Sequence, residues 1–168
     1  PLAKERYYEA FIGYLEAKID PTRTQQLRQC IDISQSIGAA YLECLSRLLL
    51  AAISATSAED RGEAVAQLEI AFRLARKGGY RPLIAKGFVI RSRLSNSINE
   101  KRVSLDLSLK IAKNIGLLDL IAENFYYLGG CALSEDNLPM AREHFLQSAA
   151  IVARLAGNLP TNYRLGYL

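Results

Sequence analysis

The chain has 168 residues, half of them hydrophobic, with 21 Lys and Arg against 17 Asp and Glu for a formal net charge of +4. That length fits one domain able to bury a sizeable core, and no apolar run approaches the ~20 residues of a membrane-spanning helix; the longest cluster is Leu48 to Ile53. Membrane insertion is thereby excluded, and the lack of a signal-peptide pattern or initiator Met reads as a cytoplasmic segment cut from a longer protein.

Glu5 to Lys18 is amphipathic, with Tyr7, Tyr8, Phe11, Ile12 and Leu15 as its apolar set. Asp20-Pro21-Thr22 breaks it, and Asp20 or Thr22 can cap the next helix. Thr24 to Ile37 carries Leu27, Cys30, Ile31, Ser34 and Ile37 and stops at Gly38. Ala39 to Ser54 is the most apolar helix, with Leu45, Leu48, Leu49 and Ala52 at repeat-like spacing; a helix apolar all round is central and buried. After a polar linker from Ala55 to Arg61, the residues Ala64, Leu68, Ala71, Phe72 and Ala75 form one helical face, ended by Gly78-Gly79.

Pro82 opens a helix that runs to about Ser97 with Leu83, Ile84, Phe88, Ile90 and Leu94. A turn from Asn96 through Asn99 leads to Val103–Ile115, where Leu105, Ser108, Leu109 and Ala112 face inward before the stop at Gly116. Phe125, Leu128, Gly129 and Ala132 then fall at i, i+3, i+4 and i+7, one face of a helix. Ser134-Glu135-Asp136-Asn137 is a turn, Pro139 sits where a first helical turn tolerates it, and Ala141, Phe145, Ala149, Val152 and Ala153 form a last amphipathic run. Gly157 and Asn158 stop it.

The glycine stops at Gly38, Gly78, Gly116 and Gly157 are separated by 40, 38 and 41 residues, each interval holding two helices. The expected hairpins are 4–38, 39–78, 81–116 and 117–157 in a single helical-repeat domain spanning 1–168, with 160–168 starting a further helix. No strand-like alternation persists, so the fold class is all-α.

Phe125, Leu128-Gly129, Ala132, Ala141 and Phe145 together resemble the tetratricopeptide repeat, whose pattern is an aromatic, Leu-Gly, Tyr, then Ala and Phe at fixed offsets. Ala64-x-x-x-Leu68 mirrors Ala141-x-x-x-Phe145. Ala132 stands at the Tyr position, the closing proline is absent, and the period exceeds the ~34 residues of the standard repeat. The resemblance implies about four antiparallel hairpins stacked as a right-handed α-α superhelix. It also implies a concave face that binds a peptide or another domain. On the family pattern the groove positions are Glu43, Ser46, Arg91, Glu123 and Tyr126, and an exposed aromatic such as Tyr126 can anchor a partner. The stretch Leu155 to Pro160, with Tyr163-Arg164 and Tyr167-Leu168, is similar to the closing segment of repeat regions in large bacterial signalling ATPases and transcription activators.

Catalysis finds no support in the motifs: no phosphate-binding glycine loop, no HExxH and no GxSxG is present. Asp119 and Glu123 at i and i+4 can pair two carboxylates, yet nothing nearby supplies a reaction partner. Cys30, Cys44 and Cys131 lie in apolar helical contexts and read as buried free thiols. With one histidine, His144, on the polar side of its helix, a zinc site is not expected, and no cofactor or metal is implied. The scattered basic residues, several in last helical turns where they complement the helix dipole, argue against direct nucleic-acid binding. The expected function is protein–protein interaction: a non-enzymatic sensing or regulatory repeat region of a cytoplasmic signalling or transcription-regulatory protein. Its partner would be another protein, a peptide or a domain of its own full-length chain. The alternative is a structural scaffold or oligomerisation domain that forms homodimers through exposed end repeats.

Overall fold

The computed structural model describes residues 2–159. Within them the chain is all-helical: α1 (Leu2–Ile19), α2 (Thr24–Ser36), α3 (Ala40–Ser54), α4 (Arg61–Lys77), α5 (Arg81–Leu94), α6 (Ile98–Ile115), α7 (Leu118–Leu133) and α8 (Leu138–Gly157). The helix expected to start in 160–168 lies outside the described residues, as do Tyr163-Arg164 and Tyr167-Leu168. The chain divides into two compact units, Pro1–Leu94 and Ser95–Leu168. The boundary falls where the helix from Pro82 was expected to continue to Ser97. It stops at Leu94 because Ser97 serves the next helix, its hydroxyl accepting from the Glu100 N–H at 3.5 Å.

One turn chemistry ends α2, α4, α6 and α7. The N–H groups of Ala39, Tyr80, Leu117 and Asn137 each donate to the carbonyl five residues back, on Ser34, Ala75, Ala112 and Ala132, at 2.8–3.0 Å. This closure needs a left-handed residue just before the donor. Gly38 and Gly116 supply it at φ 70° and 71°, and Asp136 does so at φ 55°. In the Gly78-Gly79 pair the second glycine is the left-handed one. Gly157 is the last residue of α8, and its cap Asn158 has φ −84°, so the fourth expected stop works without a left-handed turn.

In the first unit α3 is the central helix, packed by α1, α2, α4 and α5, as its long apolar run from Leu48 to Ile53 demands. Its Cys44, Leu48 and Ala51 meet Leu68, Phe72 and Ala75 of α4 and Leu83 and Ile90 of α5. Phe72 lies against Gly87, where an added Cβ would stand 2.9 Å from the ring. The apolar set expected to bury α1 is corrected. Phe11 is half-buried, but Tyr8, Ile12 and Leu15 are exposed, and the packed face is Ala10, Gly13, Tyr14 and Ala17. Gly13 admits the Sγ of Cys30 to 2.7 Å of where a Cβ would be, so small residues rather than large ones let α1 approach α2.

In the second unit α7 packs between α6 and α8. Buried Asn124 donates to the Ser108 hydroxyl at 2.9 Å and to the Leu120 carbonyl at 2.7 Å, tying α7 to α6. The Ser148 hydroxyl donates to the Ala122 carbonyl at 2.9 Å, tying α8 to α7. Gly129 lies under Phe145, and a Cβ there would be 2.7 Å from the ring. Gly129→Ala is therefore expected to destabilise this unit by about 1–3 kcal/mol, the range for overpacking. Phe145→Leu should recover part of that loss in the double variant, as urea denaturation of the full cycle would read.

All three cysteines are buried free thiols, as expected. Desolvation pushes the thiols of Cys30 and Cys44 up to about 11 and about 12. A group whose pKa is raised by folding stabilises the fold below its unfolded value and loses that contribution as pH climbs to the folded one. Stability is thus expected to fall from about pH 9 toward pH 12, a slope that Cys44→Ala should reduce in denaturation curves measured across that window.

Candidate protein-binding groove

Tyr126 and Glu123 sit one turn apart on α7, because three residues separate them. Both line a hollow of about 330 Å³ between α7 and α8. Asp119 and Glu123 give it an acidic edge, while Val152 and Leu155 of α8 give an apolar wall opposite. Ala122 and Ser148 form part of its lining, and the Ser148–Ala122 hydrogen bond fixes the spacing of the two helices there. Carboxylates at i and i+4 repel each other, and Asp119 is held in part by its place in the first turn of α7, where the helix dipole favours a negative charge.

Tyr126 is 59 % exposed yet is not loose. Its ring meets Phe145 at 5.8 Å and Tyr127 at 5.6 Å between centroids, so its orientation is set by other rings. Phe145 also walls a second hollow, about 560 Å³ and almost wholly apolar, with Leu133, Leu138, Arg142 and Leu146. His144, expected on the solvated side of α8, instead stacks on Phe125 at 5.9 Å and 23°, with Lys113 over the same ring at 5.3 Å.

The other three expected groove residues belong to the first unit. Glu43 is 8 % and Ser46 0 % exposed, so neither is presented to a partner. The family offset failed on α3 because packing on several sides leaves little of its circumference open: of the two residues it counted from, Leu48 is buried, and the half-buried positions are Ala40, Leu45, Leu49, Ala52 and Ile53. Glu43 accepts from Arg47 Nε and from Gln35 Nε2, each at 2.9 Å, and Arg47 Nη1 donates to Gln67 at 2.6 Å. The buried Glu43–Arg47 pair, met by the exposed Gln35 of α2 and the half-buried Gln67 of α4, joins three helices. The i,i+4 spacing of Glu43 and Arg47 was its sequence signal. Arg91 is committed as well: its guanidinium lies 4.6 Å over Phe72 and 5.9 Å over Phe88 and is paired with Glu69, clasping α4 to α5.

Among the described residues no three His, Cys, Asp or Glu side chains gather as a metal site would need. No described helix is long and apolar enough to cross a membrane. Removing one partner of a buried ion pair leaves the other charge uncompensated, so Glu43→Ala should cost about 3–5 kcal/mol in urea denaturation. Tyr126→Ala, at the surface, should cost under about 1 kcal/mol in the same measurement.

Comparison of the chain with protein-family models, with curated proteins and with solved structures gives no match.

Proposed function

We propose that this chain is a tetratricopeptide-like interaction module, a superhelical stack of helical hairpins that binds a peptide segment of a partner protein or of its own full-length chain. The observation that carries the reading is the α7–α8 hollow. An exposed aromatic with a fixed ring, Tyr126, stands beside two carboxylates, Asp119 and Glu123, across from the apolar Val152 and Leu155. That chemistry suits a peptide carrying a Lys or Arg next to an apolar side chain. The cation is drawn to the acidic edge at Asp119, and the apolar group covers Tyr126 and Val152. The module acts without catalysis or cofactor, as the regulatory input of a cytoplasmic signalling or transcription-regulatory protein. A second reading, an oligomerisation domain, draws on a different surface, the exposed apolar stripe of α1.

The test is selection of peptides from a random display library on the purified protein, followed by titration of synthetic peptides. Selected peptides are expected to pair basic with apolar residues. Tyr126→Ala should weaken them about tenfold or more, as loss of an aromatic anchor does. Asp119→Asn should weaken them most at low salt. Peptides that bind Tyr126→Ala as tightly as the parent, or that cross-link outside α7 and α8, would overturn the assignment.

A further inference from the structure

Apolar residues occupy two opposite faces of α1. Ala10, Gly13, Tyr14 and Ala17 face the rest of the first unit, against residues such as Cys30, Leu42, Leu27 and Leu50. At about 100° per residue, Tyr8, Ile12, Leu15 and Ile19 gather on the far side. Ile12 is 55 % and Ile19 85 % exposed. Scattered apolar side chains on a surface need no explanation, but four in line with spacings of four, three and four make a heptad seam. Tyr8 and Leu15 take the d positions, and Ile12 and Ile19 take the a positions. β-Branched residues at a with Leu at d favour two parallel strands. The flanks carry opposite charge. Lys4 and Lys18, with Phe11 between them, lie along the g side, and Glu9 and Glu16 along the e side. In a parallel pair each g side meets the e side of the other helix, setting Lys4 against Glu9 of the second copy. An antiparallel pair would set Lys beside Lys and Glu beside Glu. Glu16 is already bonded to Arg23 at 2.8 Å, so the Lys4–Glu9 contact, made twice across the two-fold axis, selects the direction. The packed face of α1 points away from the seam, leaving room for a first unit on each outer side.

We infer that α1 pairs with α1 of a second copy of this chain as a short parallel two-stranded coiled coil, making a symmetric dimer. The seam is about two heptads long, so the dimer is reversible and concentration-dependent. Sedimentation velocity on the whole chain from about 1 to about 100 µM should show a monomer passing to a dimer. Ile12→Lys, an exposed position whose change leaves the helical circular dichroism intact, should raise the dissociation constant more than about tenfold. Tyr8→Cys should form a disulfide-linked dimer under mild oxidation, because a parallel pair places the two position-8 residues side by side. An antiparallel pair centred on the stripe would hold them roughly 16 Å apart. The native thiols are buried and leave little background. A monomer at about 100 µM would overturn the proposal and give the stripe to another protein or to another segment of a longer chain. So would a dimer indifferent to Ile12→Lys. Cross-linking of Tyr8→Cys only to an Ile19→Cys chain would show an antiparallel pair and overturn the register.

Discussion

A glycine beneath an aromatic ring is the contact on which the helix packing depends. Phe72 of α4 lies on Gly87 of α5, and Phe145 of α8 lies on Gly129 of α7. In each case one helix exposes bare backbone and its neighbour fills the notch with a ring, so the axes come closer than two ordinary side chains allow. Densely packed interiors transmit any change in that spacing. In the second unit the consequence reaches the surface. With α7 and α8 held close at Gly129, Val152 and Leu155 come to face Asp119, Glu123 and Tyr126, and Phe145 supports the Tyr126 ring from beneath. The notch and the Ser148–Ala122 hydrogen bond together hold the two helices that wall the hollow.

What the sequence disclosed depended on how one-sided each helix is. The α7 face of Leu128, Gly129 and Ala132 could be read from spacing, and all three are buried, but the run expected on α8 is corrected: Ala149 and Ala153 are exposed, and Ala141, Ser148 and Ala156 are buried. α3 could be placed as central from its long apolar run, Leu48 to Ile53. That same run hid its register, and Glu43 and Ser46, set by counting from Leu45 and Leu48, proved buried. α1 misled in a third way. Its two apolar faces compete, one of small residues and one of large, and periodicity weighs large side chains more. The small face won because the contact with α2 and α3 is too close for Tyr8 or Leu15, as the nearness of Cys30 to Gly13 indicates. The carboxylates of the hollow were visible as a pair at i and i+4, but the wall opposite them comes from another helix, and no spacing within one helix reports that.

The first unit also holds charge where an apolar core would pack as well. Arg47, Glu43, Gln35 and Gln67 run as a chain of hydrogen bonds through α2, α3 and α4. Buried ion pairs add little net stability, because desolvation offsets the Coulomb attraction. Their effect is on register. The ion pair lies within α3 and travels with it, but its outer contacts, Glu43 with Gln35 of α2 and Arg47 with Gln67 of α4, form at one rotation of α3 against those neighbours.

The two surfaces proposed for recognition would differ in what they select. The α1 stripe is apolar and bordered by Lys on one flank and Glu on the other, a pattern complementary to itself when the helices run parallel. The α7–α8 hollow has an acidic edge, which suits a basic segment better than a second copy of the same edge. A self-pairing face and a cation-seeking face on one chain need not compete, and pairing two copies would present two acidic hollows at once. A ligand with two basic segments could then engage both, and the second contact would form at the effective concentration set by the ligand's own linker. Each site can be weak under that arrangement. One aromatic anchor and screened surface carboxylates give modest affinity, and modest affinity doubled across a reversible dimer responds steeply to the amount of chain present.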